Sequence, residues 1–489
     1  MKRSISTLLL IAMLTSLTAC SGSTPETSAT DQTPSVQETE TQETEPEKLM
    51  PDIPDTTYDG QELRFLSRLV DNPVVRFYSE VASEEMTGEP MNDATYERTQ
   101  RMIETYDITF VNDTLAMDAI GSTYTNSYLA AEQNWDVIIP GFGYAINLMK
   151  DGYTADFHDV EYIDIEKPWW DTAVAKSMEI GGGLYGAVGS INTWTDSHTY
   201  GVTFNKELAL DYEVDPYEMV RSDIWTLDNF YSIAEKVTAD LDGNGTWDHN
   251  DRYGISGTTY GFNLHMIASG VFAIQNDETG YPQLNITDRF YTVAEKVCSI
   301  MTGGNYMKAS DLIGKVDDIW TEGLRGNFRS GNALFLVNGM EELIIFRDLD
   351  TDIGLLPLPK YDETQDRYYH PFSTYWASIM VIPKNSETTA FTGHMLEALN
   401  ADAYYSTSVT YYDVLLAGKS MRDPDSVEML NIIRSSRTMD AELVYNFIGL
   451  SGIYEDMQSK KSFDILASSI ASKHQQAEKA IADLIEQYK

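Results

Sequence analysis

Between residues 62 and 141, short apolar blocks alternate with amphipathic stretches, and the two periods name the elements. "ELRFLSRLV" (62–70) predicts a strand. "NDATYERTQRMIETY" (92–106) predicts a helix, with Asn92 or Asp93 as its cap. "DITFVND" predicts a second strand, and a helical stretch through "YLAAEQ" leads to "WDVIIPG" (135–141), a buried strand ending in glycine. Strand, helix, strand, helix, strand argues an α/β lobe with a largely parallel sheet. Such sheets bind ligands at the carboxyl ends of their strands, which here carry "GFGY" (141–144).

Further along, "GGGLYGAVGSINTWTDSHTYGVTFNKEL" predicts two short strands around a polar, aromatic loop. "TLDNFYSIAEKVTAD" (226–240) predicts a helix. "NALFLVNG", "DIGLLPLPK" and "ASIMVIPK" predict a second set of strands. The chain closes on helices; in the last, Leu466, Ile470, Ala477, Ile481, Leu484 and Tyr488 share one face. There is no internal repeat.

The first twenty residues follow a different rule. "MKRSISTLLLIAMLTSLTAC" has two cations, a short apolar run and small residues, the pattern of a secretory signal. Its "LTAC" resembles the lipobox of bacterial lipoproteins, which implies that Cys20 is diacylated and holds the protein at the extracellular face of the cell membrane. Residues 21–60 carry ten acidic residues and one lysine without an apolar period, and predict an extended, disordered acidic tether. No later run is long enough for a transmembrane helix.

Composition narrows the function. The chain of 489 residues carries 34 Lys plus Arg against 76 Asp plus Glu, a formal charge of −42, which argues against nucleic-acid binding. Two cysteines, Cys20 and Cys298, make no disulfide framework, and Cys298 in "AEKVCSIM" predicts a buried apolar position. HExxH, CxxC, G-x-S-x-G and the P-loop are absent, and "GFGYAIN" lacks the third glycine of a dinucleotide fingerprint.

One stretch does carry site chemistry. "DLDGNGTWDHND" (240–251) fits a calcium loop: Asp240, Asp242, Asn244, Asp248 and Asp251 supply side-chain oxygens, Thr246 its backbone carbonyl, and Gly245 the bend. Sensors and dockerins pair such loops. A single copy predicts one structural calcium pinning a helix exit.

The order of segments resembles the extracellular solute-binding proteins of bacterial ABC importers, the carbohydrate-type family 1, in lipoprotein form. The stretches that carry it are "GEPMNDATYERTQRMIE", "WDVIIPG", "GGGLYGAVGSI", "YGVTFNKELALDY", "WTLDNFYSIAEKV", "FRSGNALFLVNGMEEL", "DIGLLPLPKYDETQDRYY" and "IMVIPKN", spread over about 61 to 489. The calcium-like loop also resembles one that recurs there. The resemblance implies a two-lobed, type II periplasmic-binding-protein-like α/β fold with a ligand cleft between lobes joined by crossing strands. It places lobe 1 at 61–200 plus about 372–420 and lobe 2 at about 201–371 plus 421–489, with crossings at "TYGVTFNKEL" and around "YYHPFSTYW". It implies a non-enzymatic, monomeric receptor that passes a carbohydrate, an oligosaccharide, to permease subunits of an ABC transporter.

Aromatics at the expected cleft edges are then the candidate sugar platforms: Phe142, Tyr144, Trp170, Trp194, Tyr375 and Trp376, with Asn192 and Asp196 for the polar rim of the ring. Trp169, Trp225 and Trp247 are expected in packing roles. Two other readings stay open: a surface glycan-active hydrolase, which needs two facing carboxylates, and a receptor of the same fold for a peptide or other polar solute.

Overall fold

A computed structural model describes residues 48–72, 77–415 and 424–489. Cys20, the signal region and residues 21–47 of the acidic stretch lie outside them.

The first sheet is built as its apolar blocks require. Strand Gln61–Arg68 lies between Ile108–Leu115 and Val137–Ile139, all parallel. Helix Pro90–Tyr106 connects the first two, as a parallel crossover must. It starts earlier than expected: Glu89 is its N-cap, accepting from the backbone of Met91 and Asn92, and Pro90 fills the first turn, where a missing N–H costs nothing. Residues 378–383 run antiparallel along the far side of Val137–Ile139 through the pairs Ile138–Val381 and Gly141–Ser378, and Ala187 pairs with Met380. The stretch 181–190 therefore joins by isolated bridges and forms no strand of its own.

The second sheet has five strands in the order 353–356, 200–205, 333–339, 253–257, 306–308. Tyr200–Asn205 is antiparallel to both neighbours, whereas Tyr253–Gly257 is parallel to both of its own. Strand Ala333–Gly339 is buried along its whole length, as a central strand with both faces covered must be. Helix Leu227–Val237, capped by the Thr226 hydroxyl, packs Phe230, Ile233, Ala234 and Val237 inward. The last helix, Leu466–Gln487, buries Leu466, Ile470, Ala477, Ile481 and Leu484 on the face its periodicity marks.

Three chain segments pass side by side between the sheets. Tyr200 N donates to Pro371 O at 3.0 Å and Ser373 N to His198 O at 2.9 Å, so 198–200 and 371–373 are antiparallel neighbours. His370 N donates to Ser436 O at 2.9 Å and Thr438 N to His370 O at 3.0 Å, which adds 436–438. The third segment was not expected: its sequence, "SSRT", carries no apolar period. Among the described residues no helix is long and apolar enough to cross a membrane.

Candidate ligand-binding cleft

Beside the crossing segments lies a cleft of about 750 Å³. One wall comes from the carboxyl ends of two strands of the second sheet: Thr258, Thr259 and Tyr260 follow Tyr253–Gly257, and Asn338, Gly339 and Glu341 end or follow Ala333–Gly339. A second contribution is Asp318, Trp320, Thr321 and Arg325. This segment is a π-helical turn, Ile319–Leu324, whose first backbone N–H groups are capped by the Asp318 carboxylate at 2.8 and 3.0 Å. Such turns are rare and concentrate at functional sites. The opposite side is formed by Asn72, His198, Ser373, Tyr375 and Trp376.

Tyr375 and Trp376 are held at the cleft by backbone packing. A Cβ at Gly141 would stand 2.9 Å from the Tyr375 carbonyl oxygen, so only glycine lets the chain pass. Gly143 N then donates to Thr374 O at 2.6 Å and Phe142 N to Ala377 O at 2.9 Å. "GFGY" is thus the start of helix Phe142–Lys150, seated beneath 374–377, and not a ligand loop. Phe142 is fully buried, edge-on to Phe372 at 4.9 Å. Tyr144 is partly buried on the same helix and does not line the cleft. Tyr375 is 47 % exposed and meets Trp376 edge-to-face at 4.7 Å.

Trp194 stands behind this wall. It is buried, with the Arg68 guanidinium 4.4 Å above its ring, and Arg68 Nη2 donates to the Trp376 carbonyl at 2.7 Å. Its backbone N–H donates at 2.7 Å to Glu80, which also accepts from Ser378 Oγ at 3.0 Å. Burial pushes the Glu80 carboxyl up to about 7 in spite of Arg68 nearby. Trp194 supports the residues that carry Trp376 and does not itself reach the cleft.

Trp170, Asn192 and Asp196 gather elsewhere, around a cavity of about 50 Å³, too small for a sugar ring. Trp170 and Trp169 both donate indole N–H groups to buried Glu397, at 2.8 and 2.9 Å. Asn192 bonds Gly189 N and Ser378 Oγ. Asp196 is paired with Arg437 of the third crossing segment, whose Nε also lies 2.8 Å from Asp171 Oδ2, an ion-pair contact off the hydrogen-bond axis. These three residues build the frame of the hinge.

Of the eight expected ligand residues the structure brings Tyr375 and Trp376 to the cleft. The residues that join them, Tyr260 and Trp320 above all, were missed. Trp320 sits in "DDIWTEGL", a tryptophan inside a polar run of the kind that singled out Trp194, and that signal was available. Tyr260 follows a strand by three residues, and the carboxyl-end rule applied to the second sheet points to it.

The acidic loop folds as a ring of oxygens. Carboxylate atoms of Asp240, Asp242 and Asp251 lie within 4.8 Å of one another. Asp240 accepts from Gly243 N and Gly245 N, both at 2.8 Å, and these amides, that of Gly245 first, hold its carboxyl below the usual range. Asp251 is buried and accepts from Leu241 N and Asp248 N. Asn244 Oδ1 accepts from Thr246 N, and Asp248, outside the three-carboxylate group, accepts from Asn250 N. Gly245 is at φ +77°, which a side chain would strain. An all-oxygen set of this charge suits a hard cation.

The two sheets, the crossing segments between them and the cleft beside them define the two-lobed binding-protein fold of the MalE type. No family model matches the chain, and no curated protein matches it in sequence. Solved structures match over most of its length. The sugar-binding protein MalE from Xanthomonas citri aligns at a TM-score of 0.56 with 14 % identity, covering 88 % of this chain and 98 % of that one. A sugar transporter from Rhizobium etli in an open conformation aligns at 0.54 with 13 % identity, covering 87 % and 98 %. An ABC substrate-binding protein from Listeria monocytogenes in complex with cycloalternan aligns at 0.52 with 14 % identity, covering 88 % and 98 %. At these identities the likeness establishes the fold.

Proposed function

We propose that this chain is the solute-capturing subunit of an ABC importer and that it holds a carbohydrate, an oligosaccharide, in the cleft between its two sheets and returns it unchanged. The observation that carries the reading is the lining of that cleft. Tyr260, Trp320, Tyr375 and Trp376 come to it from separate segments, among Thr258, Thr259, Thr321 and Asn338. Aromatic faces take the C–H face of a sugar ring, and amides and hydroxyls take its rim. The volume falls inside the ~300–1,000 Å³ of ligand clefts. The sugar-binding protein from Xanthomonas citri and the Listeria monocytogenes protein in complex with cycloalternan lend the reading support beyond the fold.

Contacts from both sides of the cleft exist only when it is closed, so ligand shifts the population toward closure. The crossing segments supply the bending points. The reading includes anchoring through an acylated Cys20 at the extracellular membrane face and delivery to membrane permeases by a monomer; the tether is shorter than the expected 21–60, since Ile53 and Tyr58 pack on the core and Tyr58 N donates to Tyr106 O at 2.8 Å. It also includes one calcium ion on the loop: Asp240, Asp242, Asn244, Asp248 and Asp251 with the Thr246 carbonyl would hold it, and it would neutralise the clustered carboxylates.

A thermal-shift screen with neutral oligosaccharides, maltotetraose and cycloalternan among them, tests the reading, because a ligand that binds only the folded state raises Tm. A rise with at least one sugar and chromatographic recovery of that sugar intact are expected. Cleaved sugar would make the chain a hydrolase, and stabilisation by peptides alone would make it a receptor for another solute.

A further inference from the structure

We propose that Glu341 is a ligand-recognising residue of the cleft, a carboxyl group that hydrogen-bonds a hydroxyl of a neutral sugar. The inference rests on the carbohydrate reading and adds to it the group that selects for uncharged, hydroxyl-rich ligands.

Geometry comes first. Glu341 opens the short helix Glu341–Ile345 just past the carboxyl end of strand Ala333–Gly339, and it lines the cleft. It is 7 % exposed, and among the described residues its Oε2 atom has no hydrogen-bond partner. Its side chain folds back across Gly339, itself a cleft residue: a Cβ there would collide with the Glu341 carboxyl. The carboxyl therefore occupies the space that a side chain at 339 would fill.

Its neighbour explains why it is left over. Glu342, fully buried, takes Arg325 in a pair of 2.8 Å and also accepts from Asn338 Nδ2 at 2.6 Å. The nearby guanidinium is committed to Glu342, and Glu341 keeps an unfilled valence at the cleft wall. A buried polar atom without a partner is costly, and native structures keep few of them. The side chain lies folded on Gly339, and turning off it toward the cleft would let a bound ligand supply the missing partner.

Charge state follows. An ionised carboxylate here would be desolvated and beside Glu342; burial first and that charge second push the Glu341 carboxyl up to about 8, with Arg325 opposing. The other charged and titratable groups around it are Asp318, Arg329 and His198 along the same cleft, Tyr200 on the crossing strand and Tyr411 on helix Thr407–Leu415. At neutral pH Glu341 is therefore a donor and an acceptor at once. A sugar hydroxyl matches both roles.

Calorimetric titration of the full protein with maltotetraose, cycloalternan and a chitosan tetrasaccharide, at pH 6 and pH 9, tests the assignment on wild type, Glu341→Gln and Glu341→Ala. Wild type should bind a neutral sugar about tenfold more weakly at pH 9, the scale of one hydrogen bond lost to a desolvated group. Glu341→Gln, which keeps a donor and an acceptor, should bind as wild type does at pH 6 and lose the pH dependence. Glu341→Ala should bind about tenfold more weakly at both values. Melting curves add a readout free of ligand: Glu341→Gln should gain stability over wild type at pH 9 and not at pH 6. Equal neutral-sugar affinity in Glu341→Ala and wild type would overturn the inference, as would preference for the ammonium-bearing sugar at pH 9, which would make Glu341 an anionic site. If wild type binds no sugar, the carbohydrate reading itself fails and the inference falls with it.

Discussion

Arg437 gives the sharpest test of how the hinge is held. It lies on the third crossing segment and reaches two carboxylates, Asp171 at the start of one helix and Asp196 next to the first crossing strand. All three side chains are nearly buried, at 14, 7 and 9 % exposure. Replacing Arg437 with methionine keeps the apolar stem and removes the charge, which leaves two buried acids with no cation between them. Breaking a buried pair from one side costs about 3–5 kcal/mol. Against a total stability of ~5–15 kcal/mol that is about a fifth or more. At roughly 1 °C per kcal/mol for a chain this long, Tm should fall by about 3–5 °C. In urea the midpoint should fall by about 1 M, since m for a large body exceeds ~3 kcal/mol/M. The triple variant Asp171→Asn, Asp196→Asn, Arg437→Met removes every charge and should recover most of the loss. Asp196→Asn alone leaves Arg437 its second partner and should change sugar affinity little. A cost below about 1 kcal/mol for Arg437→Met would refute the claim that the pair is desolvated, and lost sugar binding in a stable Asp196→Asn would return Asp196 to the ligand.

Stability should fall as pH rises above 6.5. Glu80, Glu397 and Glu442 are pushed by burial to about 7 and Glu341 to about 8, all above the unfolded value of 4.5, so the folded chain holds protons the unfolded chain has released, and that stabilisation is lost through pH 7–8. Buried His265 and His370, pushed down to about 4 and 3, act oppositely but only below 6.5. The net loss from pH 6.5 to 8.5 should be about 4 kcal/mol, and a flat urea midpoint across that range would contradict the burial argument. Trp320→Ala and Trp376→Ala should weaken sugar binding by about 1–3 kcal/mol with little change in the Tm of the empty protein, whereas Trp194→Ala should cost about 3–5 kcal/mol of stability; calorimetry and melting on the same preparations separate the two. Chelation should lower Tm without unfolding the chain, and elemental analysis with no calcium in the protein as purified would remove the ion from the loop. A Cys20→Ala variant should lose metabolic fatty-acid label, and retained label would place the acyl group elsewhere.

What the sequence makes legible follows from which forces are local. The strand at 61–68, the helix at 227–237 and the inner face of the last helix are each decided by burial of a periodic apolar set, and periodicity is written in the chain itself. The acidic loop is equally local, since all its oxygens come from twelve consecutive residues. The helix at 90–106 departs from its sequence pattern only at its cap, because a Glu at 89 acting as N-cap ranks below the Asn and Asp that follow it.

The cleft is another matter, because a side chain reaches it or misses it according to contacts hundreds of residues away. Trp194 and Trp320 have the same local signature, a tryptophan in a polar run. Trp194 lies under Arg68, which bonds the carbonyl of residue 376, and so is sealed behind the wall. Trp320 rides a π-helical turn and stays open to the cleft. Asp196 has the chemistry of a sugar ligand, yet Arg437, 241 positions on, claims it. Glu341 has the chemistry of a surface acid, yet Glu342 takes the arginine both could use, and its Oε2 is left buried at the cleft wall without a partner among the described residues. In each case the deciding partner is an ion or a backbone carbonyl brought in by topology, and desolvation makes the competition for that partner worth several kcal/mol, about 2–5 for a buried charge. Residue type narrows what a position can bind; the partner that reaches it first in three dimensions decides whether a ligand ever sees it.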